Sequence, residues 1–210
     1  MDIYLIVAIA ASAVAFVTLV ITASYRAREL KERRRGERRA EIKTHLYEFY
    51  GPLAAQLNVL TALHRLLATG KPEGFEALNY LLDPYQEYPT GSGKKKRLVL
   101  TDLDRRLLEE IVAAGMQIEA LVLAKAGLAG DGELLFPHAT EGKLLPAPVE
   151  GGSPFAAALT HFRLLRLAYN GRFEGDPGQY QDYTLPQAFE ELIQEKMRAL
   201  HRELERLGKS

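Results

Sequence analysis

From Ile3 to Ala23 the chain carries no charged side chain, and 21 residues of helix rising about 1.5 Å each span roughly 32 Å, the hydrocarbon thickness of a bilayer. Polarity then reverses: between Arg26 and Lys43 there are nine Lys or Arg and four Glu. An apolar run followed by positive charge predicts a retained transmembrane anchor over residues 1–25 rather than a cleaved leader. The same charge step puts the N-terminus outside and the rest of the chain in the cytoplasm, as a single-pass protein of the plasma (inner) membrane. Tyr4 and Tyr25 mark the two interfaces. Small residues four apart, Ala8 with Ser12 and Ala11 with Ala15, offer a face for self-association.

Residues 26–50 then read as a basic juxtamembrane helical stalk. Arg28 and Arg33 precede Glu32 and Glu37 by four, as Glu29 does Arg33, which supports a charged helix. Arg26, Arg28, Lys31, Arg33, Arg34, Arg35, Arg38 and Arg39 are the residues expected to face anionic lipid head groups. Nucleic acid is not an expected partner, because from Thr44 onward 18 basic and 22 acidic side chains leave a net charge of −4.

Past the stalk the apolar positions recur at helical spacing. Leu53, Leu57, Leu60, Leu63 and Leu67 form one stripe behind Gly51-Pro52, which is either a break or a helix start. A short helix is predicted over Glu73–Leu82, stopping at Asp83-Pro84. Thr101 with Asp104 resembles a capping box and opens a helix whose stripe is Leu103, Leu107, Ile111, Ile118 and Leu121, closed by a left-handed Gly127. Ser153-Pro154 opens another through Phe155, Leu159, Phe162, Leu165 and Tyr169, closed by Asn170-Gly171. Thr184 with Gln187 opens the last, through Phe189, Ile193, Met197, Leu200, Leu204 and Leu207 to Gly208. The connections Asp83–Leu100 and Leu128–Gly152 are rich in Gly and Pro and read as mobile surface loops.

Composition agrees, since from Thr44 on there are 31 Leu and eight Val plus Ile, the reverse of what a sheet needs. The expected fold is all-α: the membrane helix and stalk, then over residues 51–210 a cytoplasmic antiparallel bundle of four long helices and one short helix. The tyrosine segments Tyr85-Gln86-Glu87-Tyr88 and Tyr180-Gln181-Asp182-Tyr183 each follow a helix and hint at an internal repeat.

Little in the sequence points to chemistry. With no cysteine there is no thiol nucleophile, no disulfide and no Cys-ligated metal. The five histidines are scattered, so neither a metal nor another cofactor is expected. The segment from Tyr88 to Lys95 fails as a phosphate loop, lacking the first glycine and the final hydroxyl. The most informative polar residues sit on the helix that is apolar nearly all round. Arg166 lies between Phe162 and Tyr169 there and needs a carboxylate or phosphate partner; Asp104 and Glu203 are the acidic candidates. His64 lies likewise between Leu60 and Leu67. Alternatively His161, Arg163, Arg166 and Tyr169 form a pocket that receives a small anionic ligand. The leading expectation is a membrane-anchored cytoplasmic adaptor or regulatory protein without catalysis, binding lipid and a protein partner or itself. Its rival is a membrane-tethered sensor or enzyme acting on an anion near Arg166.

Overall fold

The computed structural model describes residues 3–89, 95–129, 153–173, 176, 178, 180 and 183–208, with side chains for residue 16 and from residue 18 onward. It is mostly helical. The chain divides into two compact units, the larger His45–His201, the smaller the stretch through Thr44 together with the chain from Arg202 on.

The smaller unit is built on α1 (Ile3–His45). Of the i to i+4 pairs expected along its basic part, Arg33 and Glu37 meet at 2.9 Å, both well exposed. Among the described residues no helix is long and apolar enough to cross a membrane. The expected span over Ile3–Ala23 is therefore unsupported by what is described. Before Arg26 only Phe16 and the residues from Thr18 to Tyr25 have described side chains, a stretch of about 15 Å of helix and half of a bilayer core. The remainder, with the small-residue face of Ala8, Ala11, Ser12 and Ala15, lies outside the described side chains.

The larger unit begins with a single π-helical turn, Leu46–Tyr50, and α2 (Gly51–Ala68). Of the two readings of Gly51-Pro52, the helix start is the one found: α2 begins at Gly51 with Pro52 in its first turn, continuous with the π turn, since Tyr50 and Gly51 both hold right-handed helical dihedrals and the Gly51 N–H reaches the Leu46 carbonyl five residues back. Proline has no N–H and its ring crowds the carbonyl four residues before it, and widening the turn by one residue accommodates both. A Cβ on Gly51 would lie 2.6 Å from the Leu46 carbonyl oxygen, so the wide turn needs glycine there. Leu46, Phe49 and Tyr50 are buried, which places residues assigned to the stalk in the packed unit.

The chain continues through α3 (Ala77–Leu82), β1 (Glu87–Pro89), β2 (Lys95–Arg97), α4 (Asp102–Ala124), a 3-10 turn (Ala126–Leu128), α5 (Pro154–Tyr169) and α6 (Gln187–Gly208). The short helix α3 starts later than its pattern suggests because Gly74 holds a left-handed φ of 76°. The first loop predicted to be mobile, Asp83–Leu100, instead contains the antiparallel hairpin β1–β2, with Tyr88 opposite Lys96. Tyr88 and Tyr183, the second tyrosines of the two related segments, are both buried. The second loop, apart from its first two residues, lies outside the described residues.

Helix α4 opens with the expected capping box: Asp104 N–H donates to Thr101 Oγ1 at 3.2 Å and Thr101 N–H to Asp104 Oδ2 at 2.8 Å. Its end differs from expectation, since Gly127 is not left-handed and Leu128 N–H closes a 3-10 turn on the Lys125 carbonyl. Gly171 does close α5, at a φ of 62°. Helix α2 packs on α4, α4 on α5 and α3 on α5. Phe49, Phe155 and Phe189 join the π turn, α5 and α6 ring to ring, at 6.2 and 5.2 Å. At the α4–α5 crossing Gly115 admits Phe162 so closely that a Cβ would sit 2.9 Å from its ring.

Four residues of the expected α4 stripe face the core, Ile111 and Ile118 buried and Leu107 and Leu121 packed partly buried against it. Leu103 is 67% exposed, while Leu108, Ile111, Val112, Ile118 and Val122 are buried together with two acidic residues, Asp104 and Glu119. Those two carboxylates set the polar chemistry of the larger unit.

Candidate functional site

Two polar constellations sit within the larger unit. The first is centred on Glu119, whose side chain is only 9% exposed on the α5-facing side of α4. Arg163 Nε donates to Glu119 Oε1 at 2.6 Å, and Arg166 Nη1 lies 3.4 Å from Oε2. One carboxylate thus receives both guanidinium groups, and each arginine keeps more than a third of its side chain in solvent. The partner that Arg166 needed is present and is internal. Neither acidic candidate supplies it. Asp104 accepts from Lys71 Nζ at 2.8 Å, while burial, which raises its carboxyl, is outweighed by hydrogen bonds from Lys71 and Thr101 that leave it below its ordinary range. Glu203 takes Arg38 instead.

The second constellation is a cavity of about 410 Å³ lined from α2 by His64 and Leu67, from α5 by His161, and from the segments before α3 and α6 by Phe75 and Leu185. His161 is 4% exposed. Its Nδ1 lies 2.7 Å from the Tyr183 carbonyl oxygen. A carbonyl only accepts, so Nδ1 carries the proton and Nε2 of the neutral ring presents a lone pair. Burial drives the His161 ring down to about 4, against the opposing pull of the Tyr183 carbonyl, and burial lowers His64 as well. Both rings are therefore uncharged at neutral pH. Nε2 of His64 and Nε2 of His161 are buried and have no hydrogen-bond partner among the described residues.

Of the four residues expected to form one pocket, the structure brings together only Arg163 and Arg166. On α5 the arginines point roughly 140–160° away from His161 at 100° per residue, so the histidine lines the cavity and the arginines meet Glu119. Tyr169 is half-buried against the core. Sequence reasoning missed Glu119. The signal for it was the alternative α4 stripe through Leu108, Val112, Gly115 and Val122, which carries Glu119 beside Gly115 at spacing four. The pairing of His64 with His161 had no local signal at all.

In the smaller unit the basic residues of α1 are exposed apart from the half-buried Arg35. Arg38 differs from the lipid-facing role expected of it. It donates Nε and Nη2 to the two Glu203 oxygens at 2.8 and 3.1 Å and Nη1 to Glu41 at 2.9 Å, and Arg38 holds the Glu203 carboxyl below its usual range. Among the described residues no group of three or more His, Cys, Asp or Glu is placed to hold a metal ion. Compared with protein-family models, curated proteins and solved structures, the chain matches none.

Proposed function

We propose that this chain is a membrane-tethered adaptor or regulatory protein: an antiparallel helical bundle, held by residues 1–25 to the inner membrane, that binds a protein partner or reports a state without chemistry of its own. The observation that carries the reading is α1. It runs as helix from Ile3 to His45, so the uncharged run and the basic run belong to one element, and Arg26, Arg28, Lys31, Arg33 and Arg34 on it are exposed to meet anionic head groups. The buried acidic groups of the larger unit support the regulatory half, because Glu119 and Asp104 are engaged by arginines and a lysine as structural partners. The rival, a small anion taken at Arg166, has to displace Glu119 from two guanidinium groups.

The chain has no cysteine, so single cysteines report topology cleanly. In its native cells the full chain should stay with the membrane through an alkaline wash. Asp2→Cys should react with a membrane-impermeant thiol reagent added outside, and Ser210→Cys should not. Release into the supernatant, or the reverse labelling, refutes the tether and its orientation.

A further inference from the structure

We propose that the open cavity between residues 70–73 and the β1–β2 hairpin is a binding site for a small organic monoanion, an apolar body bearing one carboxylate, which Lys71 and Lys96 receive. Every wall residue lies in the His45–His201 unit, so the proposal is independent of the membrane tether.

The residue that packing alone does not explain is Lys96. Side chains directly opposite in an antiparallel pair share a face, and Lys96 stands opposite Tyr88. Tyr88 is buried with its ring 6.2 Å from that of Phe75, so this is the inner face of the hairpin, where an apolar residue is the ordinary choice. Lys96 nevertheless lines the cavity as an exposed lysine, and among the described residues no carboxylate pairs with it. The same cavity is lined by Lys71, which follows the left-handed Gly70, at a φ of 73°, in the turn after α2. The Lys71 side chain is only 11% exposed and gives one N–H to Asp104 at 2.8 Å. An ammonium has three N–H groups, so donors remain for a second acceptor.

The charges around the cavity define the occupant. Lys71, Lys96 and Arg97 are three positive charges; Glu73 on the wall and Asp104 bonded to Lys71 are two negative ones, which leaves one positive charge in excess. On the outer face of the hairpin Glu87 and Lys95 offset each other. Arg97 has uncharged partners, its Nε donating to the Pro84 carbonyl at 3.2 Å and its guanidinium lying 4.1 Å over the Tyr85 ring, so the two lysines are the donors left for a ligand. A monoanion closes the balance. A phosphate monoester brings a second charge that has no cation and faces Glu73, and an ammonium meets two others. Pro72, Tyr88, Leu98 and Val99 supply apolar wall, and Val99 stands 74% exposed for an occupant to cover. The volume, about 740 Å³, falls within the roughly 300–1,000 Å³ of small-molecule sites.

The test uses the full chain in phosphatidylcholine nanodiscs, with empty nanodiscs as the blank, and ligand-observed NMR titrations of phenylacetate, phenylacetamide, benzylammonium and phenyl phosphate. Phenylacetate should bind about tenfold more tightly than its amide, the ratio expected of one net charge-assisted hydrogen bond, and added salt should narrow the gap. Lys96 and Glu73 are both exposed, so their substitution leaves the core packing in place. Lys96→Met should weaken phenylacetate about tenfold and leave the amide unchanged, while Glu73→Gln should tighten phenylacetate. Lys71→Met combined with Asp104→Asn strands neither charge and should weaken phenylacetate as Lys96→Met does; should that double variant fail to fold, the Lys96 and Glu73 variants decide. Equal binding of phenylacetate and its amide, tighter binding of benzylammonium or phenyl phosphate, no binding by any probe, or a phenylacetate affinity that neither Lys96→Met nor Glu73→Gln moves would each overturn the proposal.

Discussion

Removing the two arginines from Glu119 singly and together tests the packing of α4 on α5 with graded magnitudes. Arg166 is the weaker partner. Its 3.4 Å contact is long for a charge-assisted bond, its side chain is 35% exposed, and Glu119 keeps Arg163 when Arg166 is lost. With solvent screening included, Arg166→Ala should cost about 0.5–1 kcal/mol. Arg163→Ala removes the 2.6 Å bond but leaves Arg166 free to close on the carboxylate, at about 1–2 kcal/mol. The double variant strands a carboxylate that is 9% exposed with no cation, and there the cost rises to about 3–5 kcal/mol. The sum of the singles falls short of the double, and that shortfall is the coupling a cycle measures. Glu119→Leu should be close to neutral by comparison, because both guanidinium groups already reach water. Urea unfolding followed by circular dichroism, with an unchanged denaturant slope, supplies the four numbers. An Arg166→Ala variant as damaged as the double would show that Arg166, and not Arg163, holds the carboxylate.

Three further outcomes follow from particular contacts. Gly51→Ala should destabilise the larger unit by about 1–3 kcal/mol, since its Cβ would sit 2.6 Å from a backbone oxygen that cannot swing aside; a thermal midpoint equal to wild type counts against the π turn. Gly115→Ala places a Cβ 2.9 Å from the Phe162 ring and should cost about 1–3 kcal/mol by overpacking, relieved in part by Phe162→Leu, which a double-variant melt can check. His161 has a folded value near 4, below its unfolded value, so the unfolded chain takes up its proton first as pH falls. Its contribution is fully present above about pH 6.5 and is lost progressively towards pH 4, up to about 3 kcal/mol at 1.36 kcal/mol per unit, with His64 adding in the same direction. Melting curves of His161→Phe should be flatter across that window than those of wild type.

The helices of this protein were legible in its sequence because their signals are local. The Thr101–Asp104 capping box, the proline at the start of α5 and Gly171 at its end act within a turn or two, and the structure has each where the pattern puts it. The hairpin was not legible, because strands of three residues are too short to show a period. The pattern found the core-facing Leu107, Ile111, Ile118 and Leu121 of α4, but not how far that face extends. Leu103 was assigned to it as well, and only packing against α2 and α5, with Gly115 taking the Phe162 ring, left Leu103 in solvent and turned Glu119 inward. The same holds for the arginine partner and for the two histidines. Periodicity ranks the positions of one helix against each other, whereas which residue meets which across helices depends on crossing geometry and on the volumes of side chains far apart in the chain. The arrangement of Arg163 and Arg166 on Glu119, and of His64 with His161 across one cavity, was therefore decided by tertiary packing alone.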